Sequence, residues 1–166
     1  DSPNYLFVDV KIASNAQPGT YYIVFSKDGQ SFKYPYEIAS RREGSAERTS
    51  FTTADMIYLI MPDRFANGDP SNDSVEGMPD KADRSKPFGR HGGDIQGIID
   101  HLDYISELGA TAIWCTPLIE DNLEKTTYHG YACTDYYHID GRFGDNDLFK
   151  TYVEKAHEKD LKIIMD

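Results

Sequence analysis

Three short, mostly apolar runs, separated by segments with helical periodicity, constrain the fold of this chain more than any other feature. The runs are MIYLIM at 56–61, TAIWCT at 111–116 and LKIIMD at 161–166, and such runs are typical of strands in a parallel sheet. Between them, apolar residues recur at helical spacing, at Ile95, Ile98, Ile99, Leu102, Ile105 and Leu108 and again at Leu148, Phe149, Tyr152, Val153 and Ala156. The order strand, helix, strand, helix, strand predicts an α/β fold with a parallel sheet or barrel, its strands covered on both faces.

The connections differ in length at the two ends of this predicted sheet. Those from helix to strand, 109–110 and 158–160, are very short, whereas those from strand to helix, 62–94 and 117–147, run to about thirty residues each. Long loops therefore gather at the carboxyl ends of the strands, where α/β folds bind their ligands. No GxGxxG or GxxxxGK[ST] motif follows any of the three strands, which disfavours a nucleotide-binding fold.

Residues 1–40 have the alternating pattern of β-strands. We expect strands in YLFVDVKI at 5–12, in YYIVF at 21–25 and in FKYPYEI at 32–38, with a tight turn at Asp28-Gly29. Pro35 cannot donate to a ladder, which favours an edge strand. This pattern predicts the C-terminal part of an Ig-like β-sandwich. Polar residues 41–54 are interpreted as a linker, and residues 55–166 as the first part of the α/β domain.

Charge and composition exclude several classes of protein. The formal net charge of −11 would repel a phosphate backbone, so we expect no nucleic-acid partner. No apolar run approaches the roughly eighteen residues of a membrane span, so no span is expected. The two cysteines, Cys115 and Cys133, are too few and too far apart for a disulfide scaffold or a CxxC motif, which predicts free, buried thiols.

The first long loop contains NGDPSND, in which four side chains with amide or carboxylate oxygens occur within seven positions: Asn67, Asp69, Asn72 and Asp73. Amide and carboxylate oxygens suit Ca²⁺, but Asn, Asp, Gly and Pro are also the usual residues of turns. An EF-hand is excluded because no Glu occupies the twelfth position. Asp94, which opens the next helix, is either its N-cap or a further metal ligand. From these residues alone, both interpretations stay open.

The second long loop combines aromatic and hydrogen-bonding residues. Its aromatic residues are Tyr128, Tyr131, Tyr136, Tyr137 and Phe143, and among them lie His129, His138, Asp135 and Asp140. Aromatic faces beside polar groups are typical of sugar-binding surfaces, although loop aromatics more often serve packing. Two histidines without a third ligand make a poor zinc site.

Four segments carry a resemblance to a known family. YLIMPDRFANGDPSND, HGGDIQGIIDHLDYISELGATAIWCTPL, YHGYACTDYYHIDGRFGD and LKIIMD, in this order, resemble the front of the α-amylase superfamily of glycoside hydrolases (family 13), in its neopullulanase and cyclomaltodextrinase branch. The resemblance covers nearly the whole chain. It implies that residues 55–166 are strands one to three of a (β/α)8 TIM barrel, preceded by a β-sandwich domain.

The resemblance also implies roles for particular residues. It maps calcium ligands onto Asn67, Asp69, Asn72, Asp73, the Gly92 carbonyl and Asp94. His129 and Tyr131 match residues that contact the sugar at the cleavage position, the tyrosine by stacking. Asp166 matches a structural Asp near that site. Where relatives often have GYDxxDY, this chain has Ala132 in place of the first Asp, so sugar preference beyond the first ring is open.

The implied activity is hydrolysis of α-glucans by a retaining mechanism. The family's nucleophilic Asp, acid/base Glu and second Asp lie on later strands, so no catalytic residue is assigned in this chain, which we expect to be inactive without the remainder of the barrel. Substrates would be maltooligosaccharides, cyclodextrins, pullulan or starch, and the location periplasmic or secreted. The alternative is an amylase-like carbohydrate-binding or structural protein without catalysis. Metal-assisted phosphoryl chemistry is weaker, because no phosphate cradle is visible.

Overall fold

The computed structural model describes residues 6–48 and 50–166, and the chain divides into two compact units, 1–50 and 51–166. None of the helices within the described residues has the length and apolar content that crossing a bilayer requires.

The first unit contains an antiparallel hairpin of β1 (Gly19–Lys27) and β2 (Gln30–Ile38). Asp28 and Gly29 join the strands with φ angles of 50° and 78°, the two positive values that a tight hairpin turn needs, as predicted. The strand predicted at 5–12 is wrong in its described part, since residues 6–12 are not in a strand. No neighbouring strand pairs with them among the described residues, and an extended segment gains little without a partner.

The second unit contains β3 (Ile57–Ile60), α1 (Pro62–Phe65), α2 (Ile95–Asp100), α3 (Leu102–Glu107), β4 (Ala112–Cys115), β5 (Ile119–Glu120), β6 (Asp135–Ile139), α4 (Asn146–His157) and β7 (Lys162–Met165), with 3₁₀ turns at Pro70–Asn72 and Thr127–His129. It is built on three parallel strands, with neighbours in the order β3, β4, β7. The three predicted strands and the α/β class are confirmed. Over residues 51–166 the parallel sheet stays open and does not close into a barrel.

Helices α2, α3 and α4 cover one face of the parallel sheet. Ile60, Ile113 and Cys115 lie buried on this face, together with helical side chains that include Ile98, Leu102 and Tyr152. The Cys115 sulfur lies 3.7 Å from the Tyr152 hydroxyl, and burial raises the pKa of the thiol to about 11, so it stays protonated. Both cysteines are free as predicted, although Cys133 is only half-buried.

The opposite face of the sheet carries an apolar row. Leu59, Trp114 and Ile164 are aligned by the strand register, and Leu59 and Trp114 are 57% and 39% exposed. The expectation that the strands would be covered on both faces is therefore met on the helical face only. In a closed barrel this second face would point to the interior.

The helix predicted through 95–108 is divided into α2 and α3 at His101, whose φ of −114° is not helical. The His101 Nδ1 lies 2.7 Å from the Gly97 carbonyl oxygen, and its ring meets Phe65 edge-on at 5.6 Å between centroids. The apolar spacing continues through this break, so periodicity alone did not indicate it. Gly109, with a φ of +85°, ends α3, and the short connection predicted at 109–110 begins there.

Candidate functional site

The two long loops leave the carboxyl ends of β3 and β4, which are neighbouring parallel strands, so both begin at the same edge of the sheet. The first loop closes on itself at its base, where the buried Asp63 accepts hydrogen bonds from the backbone N–H groups of His91 and Gly92. The Gly93 N–H donates to the Asp63 carbonyl at 3.1 Å. A Cβ on Gly93 would lie 2.0 Å from the Pro62 carbonyl oxygen, so only glycine allows this closure.

Asp94 joins the two ends of the first loop. Its side chain is the N-cap of α2, accepting from the Gly97 N–H at 2.6 Å, as the sequence allowed. The same carboxylate also accepts from the Gly68 N–H at 3.0 Å, the Asp69 N–H at 2.8 Å and the Asn72 amide at 3.3 Å. Four donors thus surround a fully buried carboxylate, which fixes residues 67–73 against the start of the helix.

Most of the side chains proposed as calcium ligands come together in this loop. The Asn67 amide donates to the Asp73 carboxylate at 2.6 Å, and a Cβ on Gly92 would lie 2.4 Å from the same carboxylate. Asp69 differs from the others, because its carboxylate accepts from the N–H and hydroxyl of Ser71 and caps the 3₁₀ turn that follows. Within the cluster, Asp69 therefore contributes its backbone N–H to Asp94.

The amide oxygens of Asn67 and Asn72 provide a test of whether this loop fits a cation. Both Oδ1 atoms are buried, and neither has a hydrogen-bond donor within the protein. Buried oxygens are normally hydrogen-bonded, so two unsatisfied acceptors in one loop suit a hard cation such as Ca²⁺. Across residues 6–48 and 50–166, His, Cys, Asp and Glu side chains alone form no cluster of three or more suited to a metal, so the amides are essential to this fit.

His129 and Tyr131 lie on one tight turn of the second loop. Gly130 between them has a φ of +77°, and a Cβ there would lie 2.2 Å from the Pro117 carbonyl oxygen, so the turn requires glycine. The His129 Nδ1 accepts from the Tyr131 N–H at 3.0 Å, and the two ring centroids are 5.8 Å apart. Tyr131 is 58% exposed, so much of its side chain is accessible to a ligand.

Tyr131 also connects the second loop to the end of β7. Its hydroxyl donates to the Asp166 carboxylate at 2.9 Å. This hydrogen bond raises the pKa of Tyr131, because ionising the phenol would place two negative charges together. The three residues that the resemblance assigned to the neighbourhood of the sugar, His129, Tyr131 and Asp166, are thus brought together.

Arg64 connects the first loop to the second. Its guanidinium lies over the Tyr128 ring, 4.3 Å from the centroid, and the Tyr128 ring meets His129 edge-on at 5.2 Å. The same guanidinium pairs with Asp63 and donates to the carbonyl oxygens of Pro87 and Gly89, each at 2.9 Å. One side chain therefore holds both loops in register beside the candidate sugar site.

The other polar and aromatic residues of the second loop have different roles. Phe143 is buried, and the Arg90 guanidinium lies over its ring, 4.6 Å from the ring centroid. Phe143 therefore serves packing and offers no face to a sugar. Tyr136 and Tyr137 are exposed on β6, and His138 pairs with Asp135 at 2.8 Å.

A buried charge network supports the turn that carries His129, and the sequence did not indicate it. Arg142 donates to both Asp140 oxygens at 2.9 and 2.7 Å and to the Asp121 carbonyl at 2.5 Å. Burial alone would raise the pKa of Asp140, but the Arg142 hydrogen bonds and charge outweigh this and lower it. Asp121, whose pKa burial raises, accepts from the Ala132 N–H at 3.3 Å. The signal available in the sequence was the pair Asp140 and Arg142, opposite charges two positions apart and next to the aromatic Phe143.

Comparison with known proteins decides the family. A sequence profile described as "Alpha amylase, catalytic domain" matches residues 59–166, well over half of the chain. The chain belongs to the α-amylase family. A second profile, described as "Cyclomaltodextrinase, N-terminal", matches residues 1–42. The resemblance read from the loop motifs is thereby confirmed.

Relatives of this α-amylase family chain include glycosidases of the same branch. A neopullulanase 2 from Thermoactinomyces vulgaris is 43% identical over 124 residues, covering 70% of this chain and 20% of the relative. A cyclomaltodextrinase from a Bacillus species is 42% identical over 111 residues, covering 67% of this chain and 19% of the relative. The chain thus spans about a fifth of the length of these relatives.

Solved structures give the same answer for the fold. An α-amylase from Anoxybacillus is 49% identical, with a TM-score of 0.62 over 68% of this chain and 23% of that one. A cyclic α-maltosyl-(1→6)-maltose hydrolase from Arthrobacter globiformis, solved in complex with maltose, is 37% identical with a TM-score of 0.57, over 68% and 24%. The α/β architecture of residues 51–166 is therefore that of α-amylase family enzymes.

Proposed function

We propose that this chain is the front of a retaining glycoside hydrolase that cleaves α-glucans. The observation that carries the proposal is the convergence of His129, Tyr131 and Asp166 at the carboxyl edge of the sheet, with an exposed aromatic ring beside hydrogen-bonding groups. Such a surface covers the C–H face of a sugar and binds its hydroxyl groups. Maltooligosaccharides, cyclodextrins, pullulan and starch are the substrates proposed.

Retention of configuration requires two carboxyl groups about 5 Å apart, one acting as nucleophile and the other as proton donor. We assign neither of them to residues 1–166, because the family resemblance implies that both belong to later strands. The isolated chain is therefore inactive, whereas the whole enzyme hydrolyses α-glucans to products of α configuration. Incubating maltohexaose with the isolated chain and with the whole enzyme tests this, if NMR records the anomeric configuration of the products before they mutarotate. Hydrolysis by the isolated chain, or β products from the whole enzyme, would contradict the proposal.

The apolar row of Leu59, Trp114 and Ile164 supports a missing partner for the sheet. A row that faces solvent on a parallel sheet is unusual, since such strands are normally buried on both faces. We propose that the remainder of the barrel covers it. The isolated chain should consequently bind a dye such as ANS, and the whole enzyme should not.

Tyr131 is assigned the stacking role toward the sugar. Tyr131→Phe keeps the ring and removes the hydrogen bond to Asp166, whereas Tyr131→Ala removes both. In the whole enzyme we expect kcat/KM on maltohexaose to fall further for the alanine variant, by about 2- to 10-fold relative to phenylalanine, the usual value of one aromatic contact. Equal losses for the two variants would contradict stacking.

We further propose that Ca²⁺ binds the first loop through Asn67, Asn72, Asp73, Asp94 and the Gly92 carbonyl, with Asp69 as the remaining candidate. A bound ion would offset the negative charge of the carboxylates, and the two unsatisfied amide oxygens would serve as ligands to it. The protein's part is to hold these oxygens together through the Asp94 hydrogen bonds.

Thermal unfolding of the chain in EDTA and in excess calcium tests the ion directly. Ligand binding to the folded state raises the melting temperature, so calcium should stabilise the chain. Asn72→Ala should abolish this increase, whereas Asn122→Ala, an exposed amide in the other loop, should preserve it. Identical melting in EDTA and calcium would contradict the site.

The alternative function is carbohydrate binding without catalysis. Nothing in the geometry of residues 51–166 favours it over hydrolysis, and the two are separated by assaying the whole protein for α-glucan cleavage. Location outside the cytoplasm, periplasmic or secreted, stays a prediction from the resemblance. Fractionation of the source cells followed by immunoblotting tests it.

A further inference from the structure

A cavity of about 480 Å³ lies between the two long loops, where Pro87 and Phe88 of the first loop face Glu124 and Lys125 of the second. Its size falls within the range of small-ligand sites, about 300–1,000 Å³. None of these residues belongs to the candidate sugar site or to the proposed calcium loop. The cavity is therefore a separate place in which a ligand could lie.

Phe88 is the unusual residue of this cavity. Its side chain is 68% exposed, yet the backbone on both sides of it is fixed, because Arg64 donates to the carbonyl oxygens of Pro87 and Gly89 at 2.9 Å each. Gly89 is held close as well, since a Cβ there would lie 2.6 Å from the Asp83 carbonyl oxygen. The protein thus holds a bare aromatic ring in a defined place without packing it into the core.

The opposite wall of the cavity is equally fixed. Thr126 has a φ of 66°, a left-handed conformation that β-branched residues rarely adopt. The following residue, Thr127, holds it there by donating its N–H and its hydroxyl to the Asp80 carboxylate, each at 2.9 Å. Arg90 donates to the Thr127 carbonyl at 3.1 Å from the buried side. Both walls are therefore formed before any ligand arrives.

The charges around the cavity indicate what kind of ligand fits. Asp80 and Glu124 are acidic, and Lys86 and Lys125 are basic, so the lining groups carry no net charge. A charged ligand would meet its own sign on one side. A neutral molecule with many hydroxyl groups finds donors and acceptors on both sides and an aromatic face for its C–H groups.

A short chain of contacts through Arg64 connects the cavity with the candidate sugar site. The Arg64 guanidinium that fixes Phe88 is the same group that lies 4.3 Å over Tyr128, and Tyr128 contacts His129. We propose that the Phe88 cavity is a second position for the α-glucan chain, which binds glucose units of longer substrates beyond those held at Tyr131. This inference rests on the proposed function and adds a preference for chain length.

Kinetics of the whole enzyme on short and long substrates test the proposal. Phe88→Ala should lower kcat/KM on maltoheptaose by about 2- to 10-fold, the usual effect of one aromatic contact, and leave maltotriose unchanged. Phe88→Tyr, which keeps the ring, should restore the wild-type ratio between the two substrates. Tyr104→Ala, which removes a similarly exposed ring on α3, should affect neither substrate.

A variant on the opposite wall tests the same cavity without changing Phe88. Lys125→Ala changes an exposed side chain on the opposite wall, and the same selective loss on maltoheptaose is expected. An equal loss on both substrates together with a lower melting temperature would show that Phe88 packs on protein, and would overturn the inference. No loss on either substrate would overturn it too. If the wild-type enzyme cleaves no α-glucan, the proposed function fails and this inference fails with it.

Discussion

Asp94→Asn provides the sharpest test of how the first loop is held. Asparagine is nearly the same size and is as good an N-cap as aspartate, so the substitution leaves helix capping possible. It replaces one carboxylate oxygen with an amide NH₂, which is a donor and cannot accept. Whichever way the new amide turns, two of the four N–H groups that now face Asp94 lose their acceptor.

The magnitude follows from those contacts. A hydrogen bond to a charged group contributes about 1.5–3 kcal/mol, and losing two at a fully buried site costs about 2–4 kcal/mol after the relief of burying a charge. Rotation of the Asn72 amide, which contributes one of the four donors, would recover part of this and sets the lower limit.

Urea unfolding of the calcium-free chain measures the loss. With a slope of about 2 kcal/mol per molar urea, 2–4 kcal/mol moves the midpoint by about 1–2 M. Asp145→Asn is the matched control, since Asp145 also caps a helix but is exposed and uses a single oxygen to accept from the N–H groups of Asp147 and Leu148. One amide oxygen can do the same, so we expect a change below about 0.5 kcal/mol.

The difference in cost between the two substitutions shows whether Asp94 holds residues 67–73 in addition to capping α2. If Asp94→Asn and Asp145→Asn cost the same within about 0.5 kcal/mol, then Asp94 acts only as a cap and does not hold residues 67–73. The claim that this carboxylate organises the proposed calcium loop would then be wrong.

Three further substitutions test the packing and the charges of the second unit. Gly97→Ala places a Cβ 2.0 Å from the Ala66 carbonyl oxygen and should cost about 1–3 kcal/mol or more in thermal unfolding, whereas Gly141→Ala, with 3.5 Å to its nearest neighbour, should be tolerated. The pKa of Asp55 is lowered from 3.8 to about 2, mainly by its hydrogen bond from Lys162. The contribution of Asp55 to stability is therefore present above pH 3.8 and lost as the pH falls through about 2. Asp55→Asn should flatten the dependence of the unfolding free energy on pH between these values. An unchanged pH dependence would contradict a stabilising interaction between Asp55 and Lys162.

The sequence predicted those parts of the fold that depend on local chemistry. The hairpin turn at Asp28-Gly29 needed positive φ angles, and the Asp94 cap needed a short acceptor before an apolar stripe, and both are recognisable from residue type. The three parallel strands followed from their apolar runs. Residues 6–12 have the alternating pattern of a strand, but no described strand pairs with them. An alternating pattern does not reveal whether a neighbouring strand is present to pair with.

The candidate site was predictable only where spacing carried a motif. His129 and Tyr131 were found through the HGY triplet. Nothing local indicated that Arg64 joins the two loops, and the pair Asp140 and Arg142 did not indicate that Arg142 also reaches Asp121 beneath the turn. These are contacts between residues far apart in sequence, and they depend on how two loops of about thirty residues fold against each other. The break at His101 has the same origin, because its ring contacts Phe65 from the first loop.

The row of Leu59, Trp114 and Ile164 has a practical consequence for work with the isolated chain. At neutral pH the net charge of −11 keeps chains from associating through this exposed apolar surface, because electrostatic repulsion acts at longer range than apolar contact. Near the isoelectric point of about 4.8 that protection disappears. Turbidity should therefore appear on mild acidification, above the pH at which the Asp55 carboxylate and its hydrogen bond from Lys162 begin to be lost.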